Sequence, residues 1–209
     1  HRSSLFWMAG RLAMIGHALE IVASRLNQHL KVRLQFDEDP VVVTSVVGTD
    51  GSPTQAIDDK LALFIVNIEK ETLSKVPPPR MMPGERFATH REPLRLNMLV
   101  MLAAGYSEGN YLQALKHISA AMRFLQANAV FDHRNTPEMD PGLDRVALEV
   151  QNLPTQELSH LWGVFGGRYL PSVLYTMRTV SIVPDAVDGT SEPIASPGIT
   201  LAVGGGTGG

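Results

Sequence analysis

The sequence predicts an α+β domain: a mixed, mainly antiparallel sheet flanked by about three helices. Three observations lead there. Apolar residues recur at helical spacing in three separate stretches, the first marked by Ile15, Leu19, Val22, Leu26 and Leu30. Six β-branched or alternating apolar runs lie between and after them. Several of those runs follow one another through short links, and helices packed on one sheet is the natural way to bury both patterns.

Taken in order, the first helix starts at Met14, with Glu20, Arg25, Asn27 and Lys31 free to face water. "FDEDP" ends it, because Pro40 pushes Asp39 out of the helical region. "VVVTSVV", Val41 to Val47, reads as a strand. "GTDGSPTQAIDD" is a turn-rich link. Lys60 to Thr72 is almost continuously apolar, which suits a central strand covered on both faces. Prolines interrupt Val76 to Pro93, so a long loop is expected there. Leu94 to Leu102 is the next strand, with Leu94, Leu96, Met98 and Val100 on one face.

Tyr111, Leu115, Ile118, Met122 and Leu125 mark a second amphipathic helix, with Asn110 placed to cap it. "AVFD" is a short strand and "HRNTPEMDPGLD" a loop. "RVALEVQNL" alternates, with Val146, Leu148 and Val150 inward. Pro154 to Trp162 is a short helix with Leu158, Leu161 and Trp162 inward, ended by Gly166 and Gly167. "SVLYTMRTVSIV" is the last strand. The predicted order is α-β-β-β-α-β-β-α-β.

Three segments are predicted. Residues 1–13 are read as upstream or tag-like sequence before Met14. Residues 14–183 form the domain. Residues 184–209, rich in Pro, Gly, Ser and Thr, are expected to be a flexible tail. The 209 residues suffice for one domain with a full core, and 44% apolar with 19% charged residues is a globular composition. A net charge of −3 gives no broad basic footprint for nucleic acid. The absence of cysteine removes disulfides, thiol catalysis and thiolate metal sites, and fits a reducing compartment of synthesis. No apolar run reaches the roughly 18 residues of a membrane span.

Chemistry-bearing motifs are sparse. No nucleophile elbow, phosphate loop, dinucleotide fingerprint or zinc-protease helix occurs. "GVFGG" follows a helix, whereas a phosphate cradle precedes one. The seven histidines form no metal pair at helical spacing, and His117 and His160 read as helix-flank residues. "FDEDP" lacks the alternate ligands and closing Glu of a calcium loop. Asp132, His133, Glu138 and Asp140 share one loop, which leaves open a catalytic set or weak cation site against a solvated loop or interface. Arg168 and Tyr169 read equally as a delivery loop and as interface anchors. Trp162 reads as core. No cofactor and no metal is expected.

Five stretches together carry a family resemblance: "MIGHALEIVASRLN", "FIVNIEKE", "LRLNMLVMLAA", "NYLQALKHISAAMRFLQ" and "LEVQNLPTQELSHLWGVFGGRYLPSVLYTMRTVSI". In this order and spacing, from about Met14 to Ile182, the chain resembles the cap, or tail-terminator, proteins of extracellular contractile injection systems. These are phage-tail-like particles such as the antifeeding prophage and the Photorhabdus virulence cassettes. The resemblance implies a tail-terminator-like fold, no enzymatic activity, and a homohexameric ring that ends the inner tube and anchors the last sheath layer. Implied partners are further copies of the chain, the sheath protein, the inner tube protein and the tape-measure protein, with no nucleic acid and no membrane. It also implies synthesis in a bacterial cytoplasm and a particle released outside the cell. Interface candidates are Val43 and Thr44 on an exposed strand edge that pairs with a sheath arm, Arg80 and Arg86 in the proline-rich loop, Asp132 and His133, and Arg168 and Tyr169. The Val76–Pro93 loop and the Gly-rich C-terminus have no counterpart in the family pattern. The competing reading is a small-molecule-binding or hydrolytic α+β domain that uses the Asp132–Asp144 loop.

Overall fold

A computed structural model describes residues 14–71 and 95–181. The segment 1–13, the Val76–Pro93 loop with Arg80 and Arg86, and the tail 184–209 lie outside the described residues.

Helix α1 (Met14–Leu34) buries Ala18, Leu19, Ile21, Val22, Ala23, Leu26 and Leu30. Gln35, at φ +57°, leaves the helical path and ends it. Lys31 in the last turn pairs with Asp39 at 2.7 Å, which ties the acidic turn back to the helix. Strands follow in the predicted order: β1 (Val41–Val43), β2 (Leu61–Lys70), β3 (Arg95–Ala104), then α2 (Tyr111–Ala127), β4 (Val130–Asp132), β5 (Leu143–Gln151), α3 (Thr155–Val164) and β6 (Ser172–Ser181). The sheet runs β1-β2-β3-β6-β5-β4. β1 pairs with β2 in parallel, and every other pairing is antiparallel. The fold is thus α+β on a mixed, mainly antiparallel sheet, as the patterns require.

The core has two layers. On one face, α1 and α2 cover Leu61, Leu63, Leu96, Met98, Val100, Leu102, Val146, Leu148, Tyr175 and Met177. On the other, α3 and the link after β1 cover Ala62, Phe64, Met101, Ala103 and Leu174. Strict alternation along β2, β3 and β6 sends successive residues to opposite layers. Each fully buried side chain of this size contributes roughly 1.5–3 kcal/mol.

Four expectations are corrected. The strand expected over Val41–Val47 ends at Val43. Its second half leaves the sheet and crosses to the other face, where Val46 is buried beside Ile57 and Trp162 and Val47 bridges to Pro53. A β-branched run here serves two packing layers, and composition cannot mark the change. β2 is second from the edge, not central: Leu61–Phe64 are buried on both faces, but Asn67–Lys70 run into solvent beyond an irregularity between Ile65 and Asn67. The buried face of α2 is Ala114, His117, Ile118, Ala121 and Leu125. Tyr111 and Met122, expected inward, are 51% and 37% exposed. The small Ala114 and Ala121 let α2 lie close to the layer beneath, and hydropathy ranks them below the tyrosine and methionine they displace. Val150, also expected inward, is exposed because β5 outruns β4, whose pairing stops at Ala147.

Candidate functional site

The corner between α3 and β6 concentrates aromatic side chains. Pro154 precedes α3 and its carbonyl accepts from the Leu158 N–H at 2.9 Å. The helix lays Trp162 onto the second core layer at 3% exposure, with Leu158 and Leu161 half-buried beside it. It ends where Gly166 and Gly167 take φ of +82° and +75°, conformations open to glycine at little cost. The Gly167 N–H donates to the Trp162 carbonyl at 2.8 Å. Phe165 stands edge-on to Phe64 at 5.2 Å, and Tyr169 edge-on to Trp162 at 5.8 Å. Arg168 and Tyr169 are exposed, and Leu170 returns to the core.

The link after β1 packs against this corner. It carries a tight loop in which Gly48 N–H donates to Ser52 O at 2.7 Å and the Asp50 carboxylate accepts from the Ser52 hydroxyl at 2.7 Å. Those Ser52 hydrogen bonds hold the Asp50 carboxyl below its ordinary range. Gly105 marks the closest approach, since a Cβ there would lie 2.4 Å from the Ile57 carbonyl oxygen. Between link and corner is a cavity of about 210 Å³, with Val46, Ile57, Trp162, Phe165, Leu170, Arg168 and Asp58 in its wall. The Trp162 indole N–H is buried and has no acceptor among the described residues. Arg168 has no ion pair there either.

Val43 and Thr44 stand at the other end of the same link. β1 is indeed an edge strand, but Asn27 of α1 covers part of that edge. Its Oδ1 accepts from the Val41 N–H at 2.8 Å and its Nδ2 donates to the Val41 carbonyl at 2.9 Å. Asn27 is half-buried in this role rather than facing water as expected. Backbone groups two residues apart share a side, so Val43 presents its N–H and C=O on the same outer side as Val41. The open edge is therefore confined to Val43 and the chain leading into Thr44. No sequence signal links Asn27 to Val41, because a polar residue on a helix flank ordinarily meets solvent.

Asp132 and His133 lie on the opposite edge of the sheet, at the end of β4. Asp132 organises its own turn. Its carboxylate accepts from the Arg134 side chain at 2.9 and 3.2 Å and from the backbone N–H groups of Arg134 and Asn135. The Arg134 side-chain hydrogen bond, ahead of the backbone bonds, draws its pKa down. Asp140 accepts from the Gly142 N–H at 2.7 Å, while the Asp140 N–H donates to His17 Nε2 at 3.0 Å, which anchors the loop to α1. Among the described residues no group of three or more His, Cys, Asp or Glu is placed to hold a metal ion. The structure places Val43–Thr44 on the β1 edge at the start of the link, Arg168–Tyr169 at the corner that the link's later residues pack against, and Asp132–His133 at the far edge of the sheet.

His117 is not a helix-flank residue. It is 8% exposed, 2.6 Å from the Tyr106 hydroxyl through Nδ1, and edge-on to Phe36 at 4.7 Å. Burial first, and Lys116 second, lower its pKa. Burial and the nearby Asp59 push the Tyr106 phenol up to about 12. In the neutral tautomer that carries its proton on Nε2, the phenol donates to Nδ1. A histidine one step off the predicted apolar stripe could have been placed correctly only by seeing that Ala114 and Ala121 define that stripe.

The Pvc16 N-terminal domain family matches residues 17–196, most of the chain. The chain belongs to the Pvc16 N-terminal domain family. This agrees with the resemblance to contractile-injection-system caps carried by the five stretches. A sheath/tube terminator of a PVC extracellular contractile injection system, solved in its extended state, is similar at 15% identity and a TM-score of 0.43, over 88% of this chain and 64% of that one. The tube-terminating cap of the anti-feeding prophage is similar at 14% identity and a TM-score of 0.44, over 84% of this chain and 58% of that one. The chain thus spans less than two thirds of the length of either. No curated protein matches it. Among the described residues, no helix is long and apolar enough to cross a membrane.

Proposed function

We propose that this chain is a structural cap subunit of a contractile injection particle. Six copies close into a ring that ends the inner tube and holds the last sheath layer. Membership of the Pvc16 N-terminal domain family over residues 17–196 carries the reading. The partners are further copies of the chain, the sheath and inner tube proteins, and the tape-measure protein, in a particle released from the cell that makes it. The role is one of contact rather than catalysis. Asp132 and Asp140, two of the four loop residues a hydrolytic reading would use, are engaged in shaping their own turns.

The physics of the chain suits that role. Two packed layers around one sheet give a rigid body, and loops on such a body carry contacts. A ring with rotational closure needs two different, complementary faces on each copy. Strand addition at Val43–Thr44 gives a sheath arm a short main-chain contact, beyond the Asn27 plug. Arg168 and Tyr169 supply the exposed anchor types that interfaces favour.

Deleting the gene and measuring particles by negative-stain microscopy tests the reading. The expected outcome is over-long or variable tubes, or sheaths that detach. Wild-type lengths with intact sheaths in the deletion strain would refute it.

A further inference from the structure

β2 outruns its outer neighbour. β1 pairs with Leu61, Ala62 and Leu63 and stops, while β2 continues to Lys70. The Leu61 N–H donates to the Pro40 carbonyl at 2.8 Å, so Leu61, Leu63 and, by alternation, Ile65 turn their main-chain groups toward the β1 side. The register to β3 then shifts between Ile65 and Asn67. Beyond the shift the Glu71 N–H donates to the Arg95 carbonyl at 3.0 Å, which turns Asn67 and Glu69 toward β3 and Ile68 and Lys70 outward. Among the described residues no hydrogen bond reaches the outward N–H and C=O groups of Ile65, Ile68 or Lys70. The two outermost strands are closed differently. Asn27 occupies the Val41 edge of β1. Asn135 does the same for β4: its Oδ1 accepts from the Asp132 N–H at 3.0 Å and its Nδ2 donates to the Val130 carbonyl at 2.8 Å. Val43 on β1 and Val150 on β5 are left as single outward residues.

We infer that the outer edge of β2 from Ile65 to Lys70 is the seat of an added strand, supplied by an extended arm of the sheath protein rather than by a second copy of this chain. The inference deepens the cap reading, on which it rests for the partner's identity. An exposed row of main-chain donors and acceptors recognises another main chain, and strand addition is the mode that uses it. A second copy is a poor source. Ring closure through strands needs a second open edge on each copy, and elsewhere in the sheet the described residues offer only Val43 and Val150. Two β2 edges paired with each other make a two-fold dimer, which does not extend to six copies. The register shift also bends the edge, which disfavours a preformed flat strand and suits a pliable segment that can follow the bend. Such a segment lies in line with β1, whose pairing ends at Val43, so one end of it reaches Val43 and Thr44. Ile68, 46% exposed and opposite Met98 on the α1 side of the sheet, gives the segment an apolar side chain to cover.

Residue-level hydrogen exchange, read by fragmentation mass spectrometry on the full chain alone and with purified sheath protein, tests the edge. The Ile65, Ile68 and Lys70 amides should exchange fast in the free chain. Sheath protein should slow them at least about tenfold and leave Val150 unchanged. Ile68→Pro removes a donor that β3 does not use, so the variant should melt like the parent while its sheath affinity falls at least about tenfold. Ile68→Val should bind as the parent does. Should Ile68→Pro fail to fold, the exchange of the parent chain decides alone. Three results would overturn the proposal: no slowing with sheath protein, sheath binding indifferent to a folded Ile68→Pro, or amides already slow in the free chain. Slow amides at every concentration would mean that the chain covers the edge with its own residues, and slowing that grows with chain concentration would mean that a second copy does. Particle length in the deletion strain reads the cap role separately. Normal particles together with sheath-dependent slowing would sink the cap role and keep the edge, and over-long tubes without slowing would do the reverse.

Discussion

Trp162 and Arg168 border the same cavity but differ in what their replacement should do. Trp162 is 3% exposed and packs against Phe165 and Tyr169. Trp162→Ala removes a large core side chain, and such changes cost about 3–5 kcal/mol. A calorimetric melt should show a large downward shift. Arg168 is exposed and has no ion pair among the described residues, so Arg168→Glu should stay within about 0.5 kcal/mol of the parent. Equal melting losses in the two variants would contradict the burial difference. His117 gives a pH prediction at the same scale. Its folded pKa lies below the ordinary 6.5, so the unfolded chain takes up the proton first as pH falls. The stability from the neutral, buried ring is fully present above about 6.5 and declines as pH drops below it. Denaturant midpoints between pH 7.5 and 5 should fall, and His117→Gln should flatten that slope. A parent slope unchanged by the substitution would locate the proton uptake elsewhere.

At the scale of elements, β1 depends on a helix for its edge. Asn27 supplies both hydrogen bonds that a neighbouring strand would give Val41. Asn27→Ala leaves that N–H and C=O without partners, at about 1–3 kcal/mol if they stay buried. It also exposes a longer strip of edge, which invites pairing with other chains. Lower melting and concentration-dependent association by light scattering are expected. A variant that melts like the parent and stays dispersed would show that the plug is dispensable. Val43→Pro is the complementary change: Val43 faces outward, so proline removes a donor that β2 does not use. The fold should survive while sheath attachment weakens. The order of the nine α-helices and strands among the described residues was legible because hydrophobic period and glycine–proline punctuation are local properties. Less legible were features set by distant partners. Val46 leaves the strand for a layer built by Ile57 and Trp162. The α2 stripe turns toward Ala114 and Ala121 because neighbouring layers reward closeness over hydropathy. Of the candidate contact residues, Arg168 and Tyr169 follow a glycine pair in the sequence, and the structure leaves both exposed. The cavity beside them was not legible, because half its wall comes from a link that reads as solvent-facing.

At the scale of the whole molecule, a closed ring makes a prediction that isolated protomers do not. In a six-fold heterologous ring, every copy contributes one half of two different contacts. A substitution on one face breaks one contact per altered copy, and one broken contact opens the ring. Co-expressing parent and Arg168→Glu chains in equal amounts would then leave about one ring in sixty-four free of altered copies, if assembly is random over six places. Cap activity should collapse far more steeply than the fraction of altered chain. Because Arg168 is exposed, the altered protomer should fold and compete for places rather than be cleared. Native mass spectrometry of the cap, with the 22.8 kDa parent and altered chains isotopically distinguished, reads the composition of surviving rings, and particle length reads their function. Loss in simple proportion to dose would mean that Arg168 lies away from the subunit contact or that the assembly does not close. A steep loss with mixed rings absent from the mass spectrum would place Arg168 at the junction between neighbours.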